Sequence, residues 1–184
     1  PQLRAFELRE LSQKFARHFN APVVQFQILS DDWRKLVFLF ADRTVEFHTQ
    51  YGKHHSTRIP HHGRDLAYQP ETCELLLAGA GEEIFRLNLE RGQFMAPLTT
   101  GCSGINALVV DPTHGMLAAG TADGTIQCWD PRTRRRIGTS NPFDAIEAEY
   151  AELDAQPEIT SLRFDSRGLL LAAGTSSGHV ALYD

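Results

Sequence analysis

Two stretches of this chain, Ile105 to Asp130 and Ile159 to Asp184, align over 26 residues without a gap. Both contain Ala-Ala-Gly-Thr, a later turn glycine (Gly124 and Gly178) and a closing aromatic-Asp pair (Trp129-Asp130 and Tyr183-Asp184). Repetition constrains the fold more than any local motif does. One small repeat cannot bury both of its faces, so copies must pack on one another. Each copy reads as three strands. Ile105, Leu108 and Val110 mark the first, although the apolar alternation slips phase within it. Met116 to Gly120 is nearly all apolar, as a strand buried on both faces requires. Ala122-Asp123-Gly124-Thr125 reads as a tight turn, Ile126 to Trp129 as the third strand, and Arg135 to Thr139 as a fourth.

Degraded copies come earlier. Leu75 to Gly79 matches Met116 to Gly120 and is followed by Ile84 to Leu87. Leu36 to Phe40, the turn Ala41-Asp42-Arg43 and Thr44 to Phe47 give the pattern again. Gln2 to Phe6 and Ser12 to Phe15 read as the last two strands of a preceding unit. A four-stranded unit recurring every 40–45 residues or so and ending in Trp-Asp marks a WD-repeat β-propeller blade. The expectation is an all-β chain of about four blades plus part of a preceding one. At this period a seven-bladed ring takes roughly 280 to 320 residues, so the chain is expected to be a fragment of such a ring. The divisions fall at 1–17 (end of the preceding blade), then blades at 23–62, 63–103 and 104–139. An acidic insertion covers 140–158, and an incomplete blade covers 159–184.

The formal net charge of −5 argues against a domain that wraps nucleic acid over its whole surface. No apolar run is long enough to cross a bilayer, and the first residues lack a secretory pattern. Three widely spaced cysteines, without a Cys-x-x-Cys pair, point to a reducing compartment and not to a disulfide framework or zinc knuckle. His54-His55 and His61-His62 flank Arg58-Ile59-Pro60 and read as exposed loop histidines, not metal ligands. Asp42, Asp111, Asp123, Asp130, Asp165 and Asp184 fall at turns, where a carboxylate accepts backbone N–H bonds. No Ser-His-Asp spacing, nucleophile elbow or phosphate-cradling glycine loop is present, so no enzymatic activity, cofactor or small-molecule substrate is expected.

Two segments remain as candidate contact sites. Arg132, Arg134, Arg135 and Arg136 form a dense basic run able to contact phosphate or a partner, or to protect an edge strand with charge. The insertion holds Asp144, Glu147, Glu149, Glu152 and Asp154 without Lys or Arg, which suits either a solvated loop or docking of a basic partner.

Several strings go beyond a generic propeller: Leu11-Ser-Gln-Lys-Phe15, Ile28-Leu-Ser-Asp-Asp-Trp33, Lys35-Leu-Val-Phe-Leu39, Val45-Glu-Phe-His48, Arg58-Ile-Pro60, Gly63-Arg-Asp65, Phe85-Arg-Leu-Asn-Leu-Glu90 and Cys128-Trp-Asp-Pro-Arg-Thr-Arg134. With them the chain resembles the nucleolar protein ten family, called essential nuclear protein two in fungi. The resemblance implies a non-catalytic scaffold in the nucleus and nucleolus, within the small-subunit processome that processes 18S rRNA for the 40S ribosome. Its implied partners are other processome proteins, with pre-rRNA or the U3 small nucleolar RNP, and no membrane. In that family a charged C-terminal extension follows the propeller. The Gly-His that usually feeds the buried His–Asp–Ser/Thr–Trp network of WD repeats is not visible, so the blades must depend more on apolar packing. An alternative class is a substrate receptor of a cullin ubiquitin ligase, suggested by Trp129-Asp130-Pro131-Arg132, a short and common match.

Overall fold

The computed structural model describes residues 1–30, 34–144 and 157–184. The described residues form seventeen strands and no helix. They make five antiparallel sheets, in each of which strands adjacent in sequence pair with one another. The chain divides into two compact units, Pro1–Arg58 and Ile59–Asp184.

The first unit holds β1 (Gln2–Phe6) paired with β2 (Gln13–His18). Its second sheet is β3 (Val23–Ile28), β4 (Lys35–Phe40), β5 (Thr44–Thr49) and β6 (Gly52–Arg58). Five of the six residues of β4 are buried, because this strand is sandwiched on both faces. Phe19, Leu36, Phe38 and Phe40 make the core, joined by Leu3, Phe15, Ala21 and Val23. Phe19 meets Phe38 at 4.8 Å and Phe40 at 5.3 Å between ring centroids, within the range of favourable aromatic pairs.

The second unit holds three sheets. One is β7 (Gly63–Gln69), β8 (Glu74–Gly79), β9 (Glu83–Asn88) and β10 (Gln93–Thr99). The next is β11 (Ile105–Val110), β12 (Leu117–Thr121), β13 (Ile126–Asp130) and β14 (Arg135–Ser140). The last is β15 (Ile159–Phe164), β16 (Leu171–Thr175) and β17 (Val180–Tyr183). First strands stand side by side, β11 lying against β7 and β15. Leu76, Ala78, Ile84 and Leu98 pack against Ile105, Leu117, Ala119 and Trp129 to fuse the first two sheets. Ala118 and Ile126 pack against Ile159, Leu171 and Ala173 to fuse the second and third. Trp129 is buried, and its indole N–H lacks a hydrogen-bond partner among the described residues.

The phase slip in the first strand has a physical cause. Pairing shifts register between Val23 and Gln25, Gly63 and Asp65, Ile105 and Ala107, and Ile159 and Ser161. Each is a β-bulge that leaves one residue unpaired: Val24, Arg64, Asn106 or Thr160. A bulge reverses which face the following side chains occupy, so strict alternation fails there. The outer strand β10 contains Pro97, which cannot donate to a ladder. The register break between Met95 and Leu98 accommodates it.

Candidate interaction surface

Hairpin geometry gives the three-sheet unit two chemically different ends. The β7–β8, β9–β10, β11–β12, β13–β14 and β15–β16 turns fall at one end, and the described residues of the other connections within the unit at the opposite end. Contacts between sheets confirm the alignment. At the first end Arg132 Nε donates to Glu71 Oε2 at 2.9 Å, and Thr113 Oγ1 donates to the carbonyl of Arg167 at 2.7 Å. At the other end Arg64 bonds Asn106, whose Nδ2 donates to Glu158 Oε2 at 2.8 Å and to the carbonyl of Ile159 at 3.1 Å. Two of these side chains, Arg64 and Asn106, are the unpaired bulge residues themselves, so the bulges supply polar rungs from one first strand to the next. Asp65 adds another rung by accepting from the Leu108 amide at 2.7 Å.

The basic run is not a row of equivalent groups. Arg132 is exposed yet pinned to Glu71, which raises the pKa of the guanidinium through hydrogen bonding and charge. Arg136 sends Nη1 to the Thr100 carbonyl at 3.4 Å. Arg134 and Arg135 are exposed, and no side-chain partner holds either among the described residues. Arg134 also sits in left-handed backbone at φ 59°. Of the acidic insertion, Asp144 is described and exposed. Glu147, Glu149, Glu152 and Asp154 lie outside the described residues.

The histidine reading needs one correction. His54 and His55 are exposed but belong to strand β6, because the turn at Gln50 and Tyr51 returns the chain into the sheet. His61 and His62 are exposed in the connection before β7. No three His, Cys, Asp or Glu residues among those described converge on a metal position.

The turn aspartates act locally. Asp42 accepts from the Thr44 amide at 3.0 Å, and Asp130 from the Arg132 amide and the Thr133 hydroxyl. Asp165 accepts from the amides of Leu169, Leu170 and Arg167. Asp123 differs: it reaches across to the Ser103 amide at 3.0 Å and ties two connections together. Hydrogen bonds hold the carboxyls of Asp42, Asp130 and Asp165 below their ordinary value of 3.8, led by the Thr44 amide, the Thr133 hydroxyl and the Leu170 amide respectively. A carboxyl with a depressed folded pKa adds stability above its unfolded pKa and loses it as pH falls through the folded one. The urea midpoint should therefore be insensitive to these groups above about pH 5 and fall below about pH 4. Asp165→Asn should make that acid decline shallower.

Sequence reading missed a cleft of about 580 Å³ in the first unit, lined by Arg17, His18, Asp42, Glu46, His48 and Lys53. Val45-Glu-Phe-His48 was its visible signal. Glu46 accepts from Lys53 Nζ at 2.5 Å and lies 3.0 Å from His48 Nε2. Burial works to raise the Glu46 pKa, but the Lys53 and His48 contacts outweigh it and hold the carboxyl low. Arg17 donates to the carbonyls of Thr49 and Gln50. These charges tie strands together.

Sheets of this topology, joined through buried second strands and aligned first strands, define a WD-repeat β-propeller module. A solved structure, the WD40 β-propeller domain of Doa1, matches 95% of this chain and 55% of that one with a TM-score of 0.77 at 17% identity, which shows the fold alone. The chain belongs to the family described as nucleolar protein 10-like, N-terminal domain, whose model matches residues 1–184. It is 43% identical to human nucleolar protein 10 over 185 residues. It is 45% identical to the ribosome biogenesis protein enp2 homolog of Schizosaccharomyces pombe over 192 residues, and 40% identical to ribosome biogenesis protein ENP2 of Saccharomyces cerevisiae over 187. These matches cover 100% of this chain but only 27%, 30% and 25% of the respective relatives.

Proposed function

We propose that this chain is a non-catalytic scaffold in the nucleolus, acting in ribosome biogenesis within the small-subunit processome and serving 18S rRNA processing on the way to the 40S subunit. Family membership along the whole chain carries the reading, since relatives at 40–45% identity are named as ribosome biogenesis proteins. The local roles of the turn aspartates support a binding role over a catalytic one, because carboxylates spent on backbone amides do not converge on a substrate. Its partners are other small-subunit assembly proteins together with pre-rRNA or the U3 small nucleolar RNP.

Affinity purification of the tagged protein from cells tests this. Recovery of small-subunit precursor RNA with assembly factors is the expected outcome. Recovery of a cullin–adaptor complex without ribosomal precursors would overturn it, and Arg132, the end of the Trp-Asp-Pro-Arg string, already spends its guanidinium on Glu71.

A further inference from the structure

We propose that the Arg132 end of the three-sheet unit grips the phosphate backbone of RNA through Arg134 and Arg135, with Arg91 and Arg167 of the flanking sheets as additional contacts; this rests on the ribosome-biogenesis reading above. The first argument is placement. Every arginine in a segment between strands of this unit, namely Arg91, Arg132, Arg134 and Arg167, lies at this one end. The described connecting residues at the opposite end contain neither Arg nor Lys and carry Glu82, Asp123, Asp144 and Glu158; Arg64, which stands at that end in β7, is held by Asn106.

A second argument concerns neutralisation. Of the four carboxylates in the connecting segments at the Arg132 end, three are already engaged, and the fourth, Glu90, is exposed beside Arg91. Glu71 is held by Arg132, Asp111 is buried against the Thr113 amide and His114, and Asp165 accepts three turn amides. By contrast, the guanidinium groups of Arg91, Arg134, Arg135 and Arg167 donate to no described residue and are exposed.

Backbone strain supplies the third argument. The β9–β10 and β13–β14 turns have equal length and the same bonding: Gly92 N donates to the Asn88 carbonyl at 2.9 Å, and Arg134 N to the Asp130 carbonyl at 2.8 Å. At this left-handed position the first turn has Gly92 at φ 64° and the second has Arg134 at φ 59°. Glycine takes that conformation without cost, whereas arginine does not. No packing repays the strain on this exposed side chain. Keeping an arginine there makes sense if its head group has a ligand.

Guanidinium forks match phosphate oxygens in bidentate geometry. Protein partners usually need a large apolar anchor; the turns 89–92 and 131–134, which flank Arg134 and Arg135, expose none, and Leu169 and Leu170 are exposed only in the more distant Arg167 turn. The chemistry therefore favours a polyphosphate chain over an acidic protein.

Anisotropy with a labelled single-stranded uridine oligomer of about 20 nucleotides, measured for the full chain across a salt series, tests the assignment. The unsubstituted protein should bind with an affinity that falls steeply with salt. Arg134→Gly should weaken binding and reduce the log–log salt slope by about 0.7, while leaving the melting temperature unchanged or higher. Adding Arg135→Gln should weaken binding to about a tenth or less. Unaltered RNA binding in the double variant overturns the proposal, as does preference of the unsubstituted protein for poly-glutamate over RNA. If either occurs while the protein still co-purifies with pre-ribosomal particles, only this surface falls. If the unsubstituted protein fails to recover those particles, the parent reading falls.

Discussion

Glu74→Ala is expected to lower unfolding stability by about 3–5 kcal/mol, read as a shift in the urea midpoint. Glu74 and Arg86 are both buried, and the guanidinium meets the carboxylate through two parallel bonds of 2.9 Å, Nε to Oε2 and Nη2 to Oε1. The pair lies inside the sheet β7–β10. Removing one partner leaves an uncompensated charge in a low-dielectric interior, and that penalty exceeds the loss of the contact. Exchanging both partners at once (Glu74→Leu with Arg86→Met) should cost far less, or raise stability by as much as about 1–4 kcal/mol. A single substitution costing under about 1 kcal/mol would mean that the pair is solvated.

The second large effect concerns three glycines at the same position in successive sheets. Gly79→Ala should destabilise by about 3 kcal/mol, the upper part of the range for overpacking. A Cβ on Gly79 would overlap the carbonyl oxygen and carbon of His62, which are backbone atoms and cannot rotate away. On Gly120 the same atom would run into Cγ2 of Ile159 in the next sheet, and on Gly174 it would meet Ser161 Oγ at 2.5 Å. A serine hydroxyl can change rotamer more cheaply than an isoleucine can shift in a packed seam. The expected order of cost is therefore Gly79, then Gly120, then Gly174. Equal unfolding midpoints for the three alanine variants would contradict it.

The same positions explain what was legible in the chain. Leu36 to Phe40, Leu75 to Gly79 and Met116 to Gly120 stand out because a strand buried on both faces must be apolar throughout, and β4, β8 and β12 sit there. Outer strands carry no such signature. In β6 five of seven residues are at the surface, and β10 is mostly exposed, so no apolar rhythm betrays either. The candidate contacts were legible by composition but not by role. Arg132 finds Glu71 at a separation of 61 residues and Arg136 finds Thr100 at 36, and neither pairing leaves a local trace. The status of Arg134 was closer to hand. Setting Asn88-Leu-Glu-Arg-Gly92 beside Asp130-Pro-Arg-Thr-Arg134 shows glycine exchanged for arginine, but only the backbone angle reveals that the exchange is strained.

The separation of charge between the two ends of the three-sheet unit has a kinetic side. The connecting segments of one rim set Arg91, Arg132, Arg134 and Arg167 against Glu71, Glu90, Asp111 and Asp165, whereas those described at the other carry Glu82, Asp123, Asp144 and Glu158 without an arginine, and this difference gives the unit an electric moment running along its strands. A molecule with such a moment is turned by the field of a large polyanion before the two touch, so encounters arrive pre-aligned. Neutralising Glu82 at the far rim would then change the association rate and leave the dissociation rate nearly untouched. An overall charge of −5 hides this, because orientation depends on where the charges sit and not on their sum.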